Sequence, residues 1–205
     1  MKFGAILVAI AAIVAVPLSL FLLPRTPGDG SPEAGFARDM MAHHEQAVQM
    51  ALLMTERTDD EELRAMSLDI VLTQQAQIGQ FQGWLSSWGL PVAGTAPATA
   101  WMGHAGMERM PGMATPEQVN TLRSAKGAVA EELFLRLMIA HHQGGVDMAK
   151  AILGRTNRPE VRRIAEAIVS SQTAEIEAMK AILRRKGFSA LNGDEIGIQA
   201  PARAG

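Results

Sequence analysis

The sequence predicts an all-α protein built on a four-helix bundle, and two observations support this fold class. The 205-residue chain repeats itself at an offset of 98 residues, so that residues 36–90 align with residues 134–188 without a gap, which indicates a duplicated unit. Within each unit the apolar residues recur at spacings of three and four, the periodicity of a helix rather than a strand. Two helical hairpins joined by a long crossover, residues 91–114, then form a bundle over residues 31–188, followed by a flexible tail at residues 189–205.

Each hairpin has its own turn and its own end signals. The turns fall at Thr58-Asp59 and at Thr156-Asn157, where Asp59 and Asn157 are suited to begin the following helix. Gly89 and Gly187 stand where glycine commonly ends a helix. In the crossover region, Thr115-Pro116-Glu117-Gln118 has the form of a capping box and predicts the start of a long helix.

An uninterrupted apolar segment lies near the N-terminus. Residues 3–23 follow a single Lys2, and as a helix they would reach roughly 31 Å, which matches a bilayer core of about 30 Å. A cleaved signal peptide has a shorter apolar stretch and a small-x-small site, so the sequence favours an uncleaved membrane anchor. Residues 1–30 are therefore predicted to be an anchor and tether that place the bundle outside the cytoplasm. Secretion after signal cleavage is the alternative.

The composition excludes several classes of function. The chain has no cysteine, 13 methionines and 5 histidines, with a formal net charge of -2. Without cysteine there is no disulfide scaffold, thiolate zinc site or iron–sulfur cluster. The charge and the 4% aromatic content provide neither a basic stripe nor a stacking platform, so nucleic acid is not expected as a partner.

Each repeat carries an adjacent pair of histidines preceded by a methionine. On a helix, Met40 lies three and four residues before His43 and His44, so its thioether covers the same surface as both imidazoles. A soft sulfur donor beside two nitrogen donors suits Cu(I) best, also accommodates Cu(II), and suits zinc less well. The predicted metal ligands are Met40, His43, His44, Met138, His141 and His142, with Met50 and Met148 as additional candidates. Methionine at those last two positions also fits ordinary core packing.

Polar residues on the second helix of each hairpin are predicted to orient the histidines. Antiparallel pairing about the turns places Gln74 and Gln172 beside the histidine pairs, where each amide is suited to hold the ring nitrogen that does not bind metal. The same pairing puts Glu175 at the level of the metal, and Asp39, four residues before His43, is a further candidate in the first unit. The alternative is that these contacts only satisfy buried polar groups in a metal-free core.

The crossover is rich in methionine. Between Trp101 and Met113 it contains four methionines and the fifth histidine, in a Gly-rich stretch without helical periodicity. Thioethers in an exposed loop are costly in apolar surface and prone to oxidation, so this composition predicts a second Cu(I) site. Its candidate ligands are Met102, His104, Met107, Met110 and Met113. The alternative is a loop whose methionines pack across one end of the bundle.

These motifs resemble the bacterial family known as domain of unknown function 305. Its members carry M-x-x-H-H units followed by a further methionine, like residues 40–50 and 138–148, and a Met-rich connector before a T-P-E-Q helix start, like residues 115–118. The resemblance covers roughly residues 32–188 and implies a ferritin-like four-helix bundle. Family members of the CopM type are linked to periplasmic copper binding and resistance, so the resemblance also implies a copper-handling role.

The two units differ at two places within this pattern. Ile139 stands where the first unit has Met41, and Gly144-Gly145 stands where the first unit has Gln46-Ala47. Since both differences fall beside the histidine pairs, the two halves are not expected to bind a metal equally well.

The sequence favours a binding protein that sequesters copper or passes it to a copper-transfer partner, either as a single chain or as a homo-oligomer. The first alternative is a ferritin-like di-metal oxidoreductase. Such a site needs Glu-x-x-His on two helices, and no Glu or Asp lies three residues before any histidine of this chain, so an enzyme is not predicted. The second alternative is a structural or interaction bundle that binds no metal.

Overall fold

The computed structural model describes residues 26–103 and 109–188. The apolar N-terminal segment, the C-terminal tail, His104 and Met107 lie outside these residues. The described part is all-helical, which confirms the predicted fold class, and none of its helices is long and apolar enough to cross a membrane. Its helices are α1 Pro32–Thr55, α2 Glu61–Ser87, α3 Pro116–Ser124, α4 Gly127–Leu153 and α5 Pro159–Arg185, with a short 3-10 turn at Ala100–Met102.

The ends of the hairpin helices agree with the sequence signals to within one residue. Asp60, rather than the predicted Asp59, caps α2, because its carboxylate accepts a hydrogen bond of 3.0 Å from the Leu63 backbone N–H. Gly89 and Gly187 follow α2 and α5 with φ of 69° and 66°, the left-handed conformation that ends a helix. Each hairpin is therefore a long antiparallel helix pair with defined ends.

The prediction of a long helix after Thr115 is wrong. The capping box is present, since the Thr115 hydroxyl and the Gln118 side chain each bind the other residue's backbone N–H. The helix that it begins has only 9 residues, because Ala125 and Lys126 are extended and Gly127 has a φ of 55°. A separate helix, α4, then starts at Gly127.

The bundle core consists of two apolar clusters. One cluster joins the C-terminal half of α1 to the N-terminal half of α4 and includes Met50 and Met138, while the other joins the opposite halves and includes Met40 and Met148. Helices α1 and α4 are therefore antiparallel and adjacent. Between the clusters, all four long helices contribute the central polar layer: His43, His44, Gln74, Gln77, His141, His142, Gln172 and Glu175.

Two hydrogen bonds between the hairpins fix their axial register. The Thr58 hydroxyl donates to Glu131 Oε1 at 2.5 Å, and the Thr156 hydroxyl donates to Glu33 Oε1 at 2.7 Å. Both pairs are repeat-equivalent, so the turn of each hairpin is tied to the start of the first helix in the other hairpin. These two hydrogen bonds hold α1 and α4 in the axial register that brings the histidine pairs to the same level.

Candidate metal centre

The four histidines of the bundle are fully buried in the central polar layer. His43, His44, His141 and His142 are each 0% exposed. The rings of His43 and His141, which are equivalent in the repeat, lie with their centroids 3.7 Å apart across the junction of α1 and α4. The structure thus brings both predicted histidine pairs together at one level of the bundle.

Each histidine has its Nε2 atom held by an oxygen acceptor. His43 Nε2 donates to the Pro111 carbonyl at 3.0 Å, and His141 Nε2 donates to the His43 carbonyl at 2.9 Å. His44 Nε2 lies 2.6 Å from Gln77 Oε1, and His142 Nε2 lies 2.5 Å from Glu175 Oε2. Carbonyl and carboxylate oxygens accept but do not donate, so the hydrogen-bond partners assign the Nε2–H tautomer to all four rings.

The opposite nitrogen of each ring carries the lone pair and has no protein partner. The Nδ1 atoms of all four histidines are buried and make no hydrogen bond. Buried polar atoms in folded proteins are almost always paired, so four orphaned acceptors in one layer call for an explanation. A histidine that binds a metal has this arrangement, with one nitrogen fixed by an acceptor and the other free to coordinate.

Burial keeps the imidazoles of His43, His44 and His141 neutral. Desolvation lowers the pKa of His43 to about 4 and that of His44 to about 3, and the neighbouring imidazoles lower both pKa values further. Desolvation likewise holds the pKa of His141 well below its ordinary value. Metal ligation needs a neutral imidazole, so these rings are in the form that binds metal at pH 7.

The metal-free protein is expected to lose stability as the pH falls from about 6.5 toward 4. In this window the unfolded chain protonates His43 and His44 near their ordinary pKa of 6.5, while the folded chain keeps them neutral down to about 4 and 3. The unfolded state therefore binds more protons, and each histidine removes about 1.4 kcal/mol of stability per pH unit. Urea unfolding at pH 7, 6 and 5 measures this slope. In the variant His44→Gln, stability should fall by about 1.4 kcal/mol less per pH unit than in the wild type, because one histidine fewer is protonated on unfolding. An equal slope in the variant and the wild type would contradict this prediction.

The helix register within each hairpin differs from the predicted register by about one helical turn. The histidine partners on α2 and α5 are Gln77 and Glu175, one turn beyond the predicted Gln74 and Gln172. Gln74 is 2% exposed, and both of its side-chain polar atoms lack a partner. Gln172 Oε1 is also unpartnered and lies against Gly145, where an added Cβ would be 2.3 Å from it. The predicted orienting amides are therefore in the layer, but they do not hold the histidines.

Asp39 has different partners from the predicted one. Its Oδ2 accepts hydrogen bonds from the Thr99 backbone N–H at 2.7 Å and from Trp101 Nε1 at 2.8 Å, so it does not orient His43. Burial raises the pKa of its carboxyl group. Thr99 has a φ of 61°, in the left-handed region. Asp39 thus ties the first part of the crossover to α1.

Buried thioethers lie on both sides of the central polar layer. Met40, Met50, Met138 and Met148 are each 0% exposed. Met40 and Met138 lie one turn before the histidine pairs, and Met50 and Met148 lie in the apolar clusters beyond them. Among residues 26–103 and 109–188, no group of three or more Asp, Glu or His side chains is arranged to hold a metal ion.

The second part of the crossover forms a tight turn on the layer. The Met113 N–H donates to the Met110 carbonyl at 3.3 Å, and Gly112 has a φ of 73°, as in a type II turn with Pro111 at its second position. The Pro111 carbonyl, besides accepting from His43, lies so close to Gly144 that an added Cβ would be 2.0 Å from its oxygen. Glycine at position 144 therefore permits this contact between backbone and backbone.

Gln46 holds the same turn from the other hairpin. Its Nε2 donates to the Ala114 carbonyl at 3.0 Å, and its Oε1 accepts from the Ala114 N–H at 2.7 Å. Gln46 and Gly144 are equivalent positions of the repeat, and both contact the crossover. This role was not predicted from the sequence, although the departure of Gly144-Gly145 from Gln46-Ala47 is the signal that could have indicated it.

The substitution Gly144→Ala is expected to destabilise the protein by on the order of 1–3 kcal/mol, because the new methyl group must displace the Pro111 carbonyl and with it the turn over His43. Gly83→Ala is the matched control, since Gly83 lies in α2 with open space around an added Cβ. That change is expected to stabilise the helix by about 0.5–1 kcal/mol. Thermal or urea unfolding of both variants checks the prediction, and equal stability of the two would contradict it.

Two of the crossover methionines in the described residues, Met102 and Met110, pack with the same apolar cluster of the core. Met102 is buried and packs in the same apolar cluster as Phe36, whose ring meets Trp101 edge to face at 5.7 Å between centroids. Met110 packs against that cluster, and Met113 is half-buried beside the turn. Core packing therefore accounts for Met102 and Met110, and the predicted loop site as a whole includes residues outside the described part.

Residues 33–183 match the model of the family described as Domain of unknown function (DUF305). The chain belongs to this family. A DUF305 protein from Streptomyces coelicolor, named as a secreted protein, is 44% identical with a TM-score of 0.73, and the match covers 77% of this chain and 94% of that one.

Two further relatives extend the comparison. CopM in its Cu(I)-bound form is 27% identical with a TM-score of 0.61, covering 76% of this chain and 96% of that one, and CopM has also been solved in Cu(II)-bound and Ag-bound forms. An uncharacterised protein of Acanthamoeba polyphaga mimivirus is 36% identical over 55 residues, which is 27% of this chain. The match spans 36% of the length of that curated relative.

Proposed function

We propose that this DUF305 protein is an extracytoplasmic copper-binding protein that holds Cu(I) in the central polar layer. The observation that carries the proposal is the set of four buried Nδ1 lone pairs without a partner, on rings whose Nε2 atoms are already engaged. The Nε2 contacts fix the orientation of each ring, and burial keeps His43, His44 and His141 neutral, so these three rings need release no proton to bind a metal.

The thioethers supply the soft part of the proposed donor set. Met40 and Met138 belong to the same short segments of α1 and α4 as the histidine pairs, and both are fully buried. Sulfur and imidazole nitrogen together favour Cu(I) over Fe(II), Mn(II) or other hard ions. The likeness to CopM, whose structures include Cu(I)-bound, Cu(II)-bound and Ag-bound forms, supports the same choice of metal.

The crossover is proposed to cover the site. Its turn is held by Gln46, by the Pro111 contact with His43 and by the close approach at Gly144. A covered, apolar surround excludes water from the donors and slows exchange of a bound ion. This arrangement suits a protein that sequesters copper or passes it to a partner, so we propose a binding role rather than an enzymatic one.

The location outside the cytoplasm is part of the proposal. It is supported by the apolar residues 3–23, by the absence of cysteine and by the Streptomyces coelicolor relative that is named as secreted. Thioethers bind Cu(I) without forming disulfides, which suits an oxidising compartment. We propose that residues 3–23 anchor the chain in the membrane and that a copper-transfer protein is its partner.

Competition for Cu(I) tests the proposed function. The metal-free full chain is mixed with a coloured Cu(I)–chelator complex under reducing, oxygen-free conditions, and loss of the chelator colour measures transfer to the protein. We expect transfer of Cu(I) and no comparable uptake of Fe(II) or Mn(II). No transfer from the chelator would support the metal-free bundle, and bound iron or manganese with oxygen or peroxide turnover would support the di-metal oxidoreductase.

A further inference from the structure

The two halves of the central polar layer are related by the repeat but differ by one charge. His44 and His142 are equivalent positions, as are their partners Gln77 and Glu175. The two contacts have almost the same length, 2.6 Å to Gln77 Oε1 and 2.5 Å to Glu175 Oε2. Glutamine and glutamate have nearly the same shape, so the chemical difference between the halves is an amide oxygen against a carboxylate.

We propose that Glu175 sets the oxidation-state preference of the second half, so that the His142 half favours Cu(II) relative to Cu(I) more than the His44 half does. The inference rests on the proposed copper-binding function and goes further, because it assigns different selectivity to the two halves. It concerns binding preference alone and includes no electron-transfer step.

A carboxylate behind an imidazole makes that imidazole a stronger donor. Glu175 accepts the Nε2–H hydrogen bond of His142, which increases electron density at the Nδ1 atom on the other side of the ring. His142 is fully buried and the Glu175 side chain is only 24% exposed, so solvent screens their interaction incompletely. Cu(II) carries one more positive charge than Cu(I), and the carboxylate therefore stabilises it more strongly.

A second difference between the halves acts in the same direction. Met41 lies three residues before His44 and is 3% exposed, whereas Ile139 occupies the equivalent position before His142. The first half therefore has one more buried thioether on the helix face that carries His44. Sulfur favours Cu(I), so the half with the neutral glutamine also has the softer surroundings.

Separate binding constants for Cu(I) and Cu(II) test the inference. Each ion is titrated into the full chain against a chelator selective for its oxidation state, in the wild type, Glu175→Gln and Gln77→Glu. We expect Glu175→Gln to weaken Cu(II) binding by about 10- to 100-fold and to change Cu(I) binding by less than about threefold. We expect Gln77→Glu to strengthen Cu(II) binding by a comparable factor.

Glu177→Gln is the matched control. Glu177 lies on the same helix but is exposed and pairs with Lys180 at 2.8 Å, so its loss removes one charge from α5 without touching the layer. Both copper constants should remain unchanged in this variant, and thermal unfolding verifies that every variant is folded. If Glu175→Gln does not fold, the Cu(I) and Cu(II) binding constants of Gln77→Glu test the inference instead.

The outcomes separate this inference from the proposed function. The inference is overturned if the wild type binds copper and Glu175→Gln has the same ratio of Cu(II) to Cu(I) binding constants as the wild type. The proposed function then still stands. An equal loss in Glu177→Gln also overturns it, because the effect would then follow the net charge of the helix. No copper binding by the wild type overturns the proposed function and the inference together.

Discussion

Replacement of His43, His44, His141 and His142 together by glutamine is expected to weaken Cu(I) binding in the bundle by on the order of 1000-fold or more. The reason is that these four rings provide the Nδ1 atoms of the central polar layer, all of them buried and unpartnered. Glutamine preserves much of the volume and the polar character, but its amide is a poor ligand for Cu(I). Chelator competition on the full chain measures the loss.

His104→Gln is the matched control for this prediction. His104 lies in the crossover rather than in the bundle helices, so its substitution should leave the bundle affinity unchanged while removing one donor from the Met-rich segment. An unchanged copper stoichiometry and affinity in the fourfold variant would mean that the buried histidine pairs are structural. Circular dichroism of both variants distinguishes loss of binding from loss of folding.

The double substitution Met40→Leu and Met138→Leu is expected to weaken Cu(I) binding by about 10- to 100-fold with little effect on zinc binding. The thioethers are the soft donors of the proposed set, and leucine replaces them with hydrocarbon of similar volume. Exchange of Met and Leu in a packed core usually costs less than about 1.5 kcal/mol, so the fold should be retained. The ratio of Cu(I) to zinc affinity is the quantity to measure, because a packing defect would reduce both.

The matched control exchanges two other buried methionines. Met54 and Met179 are 1% and 0% exposed and lie in the apolar cluster that also contains Met138. Their double substitution by leucine removes the same number of sulfur atoms from the same core without touching the histidine segments. Equal losses of Cu(I) affinity in the two double variants would contradict a ligand role for Met40 and Met138.

Much of the bundle could be predicted because its signals are local or repeated. The spacing of apolar residues predicted the long helices. Gly89 and Gly187 predicted where the hairpins end, because a residue in the left-handed conformation ends a helix whatever it packs against. The duplication predicted that both histidine pairs are equivalent, and in the structure the ring centroids of His43 and His141 lie 3.7 Å apart.

The contacts between helices were less predictable. A turn of uncertain length leaves the register of a hairpin open by a few residues, and this is why Gln77 and Glu175 rather than Gln74 and Gln172 hold the histidines. Side-chain direction adds to the same ambiguity, because a residue on a helix reaches over the preceding turn. The level of the partners was predicted and Glu175 was among the candidates, but Gln77 was not.

Contacts made by the crossover were the least predictable from the sequence. The Pro111 carbonyl reaches His43 from 68 residues away, and no helical periodicity indicates such a contact. The Gly144 position did carry a signal, since only a residue without Cβ fits beside that carbonyl. The repeat makes this visible, because its first unit has Gln46 there and uses it to hold the same segment by side-chain hydrogen bonds.

X-ray absorption spectroscopy of the Cu(I)-loaded full chain tests whether copper binds in the central polar layer, because it identifies the atoms bound to copper. We expect a mixed shell of nitrogen and sulfur atoms, with the nitrogen contribution lost when the four bundle histidines are replaced by glutamine. A spectrum that shows only sulfur ligands and is unchanged in that variant would place the copper outside the central polar layer and contradict the claim.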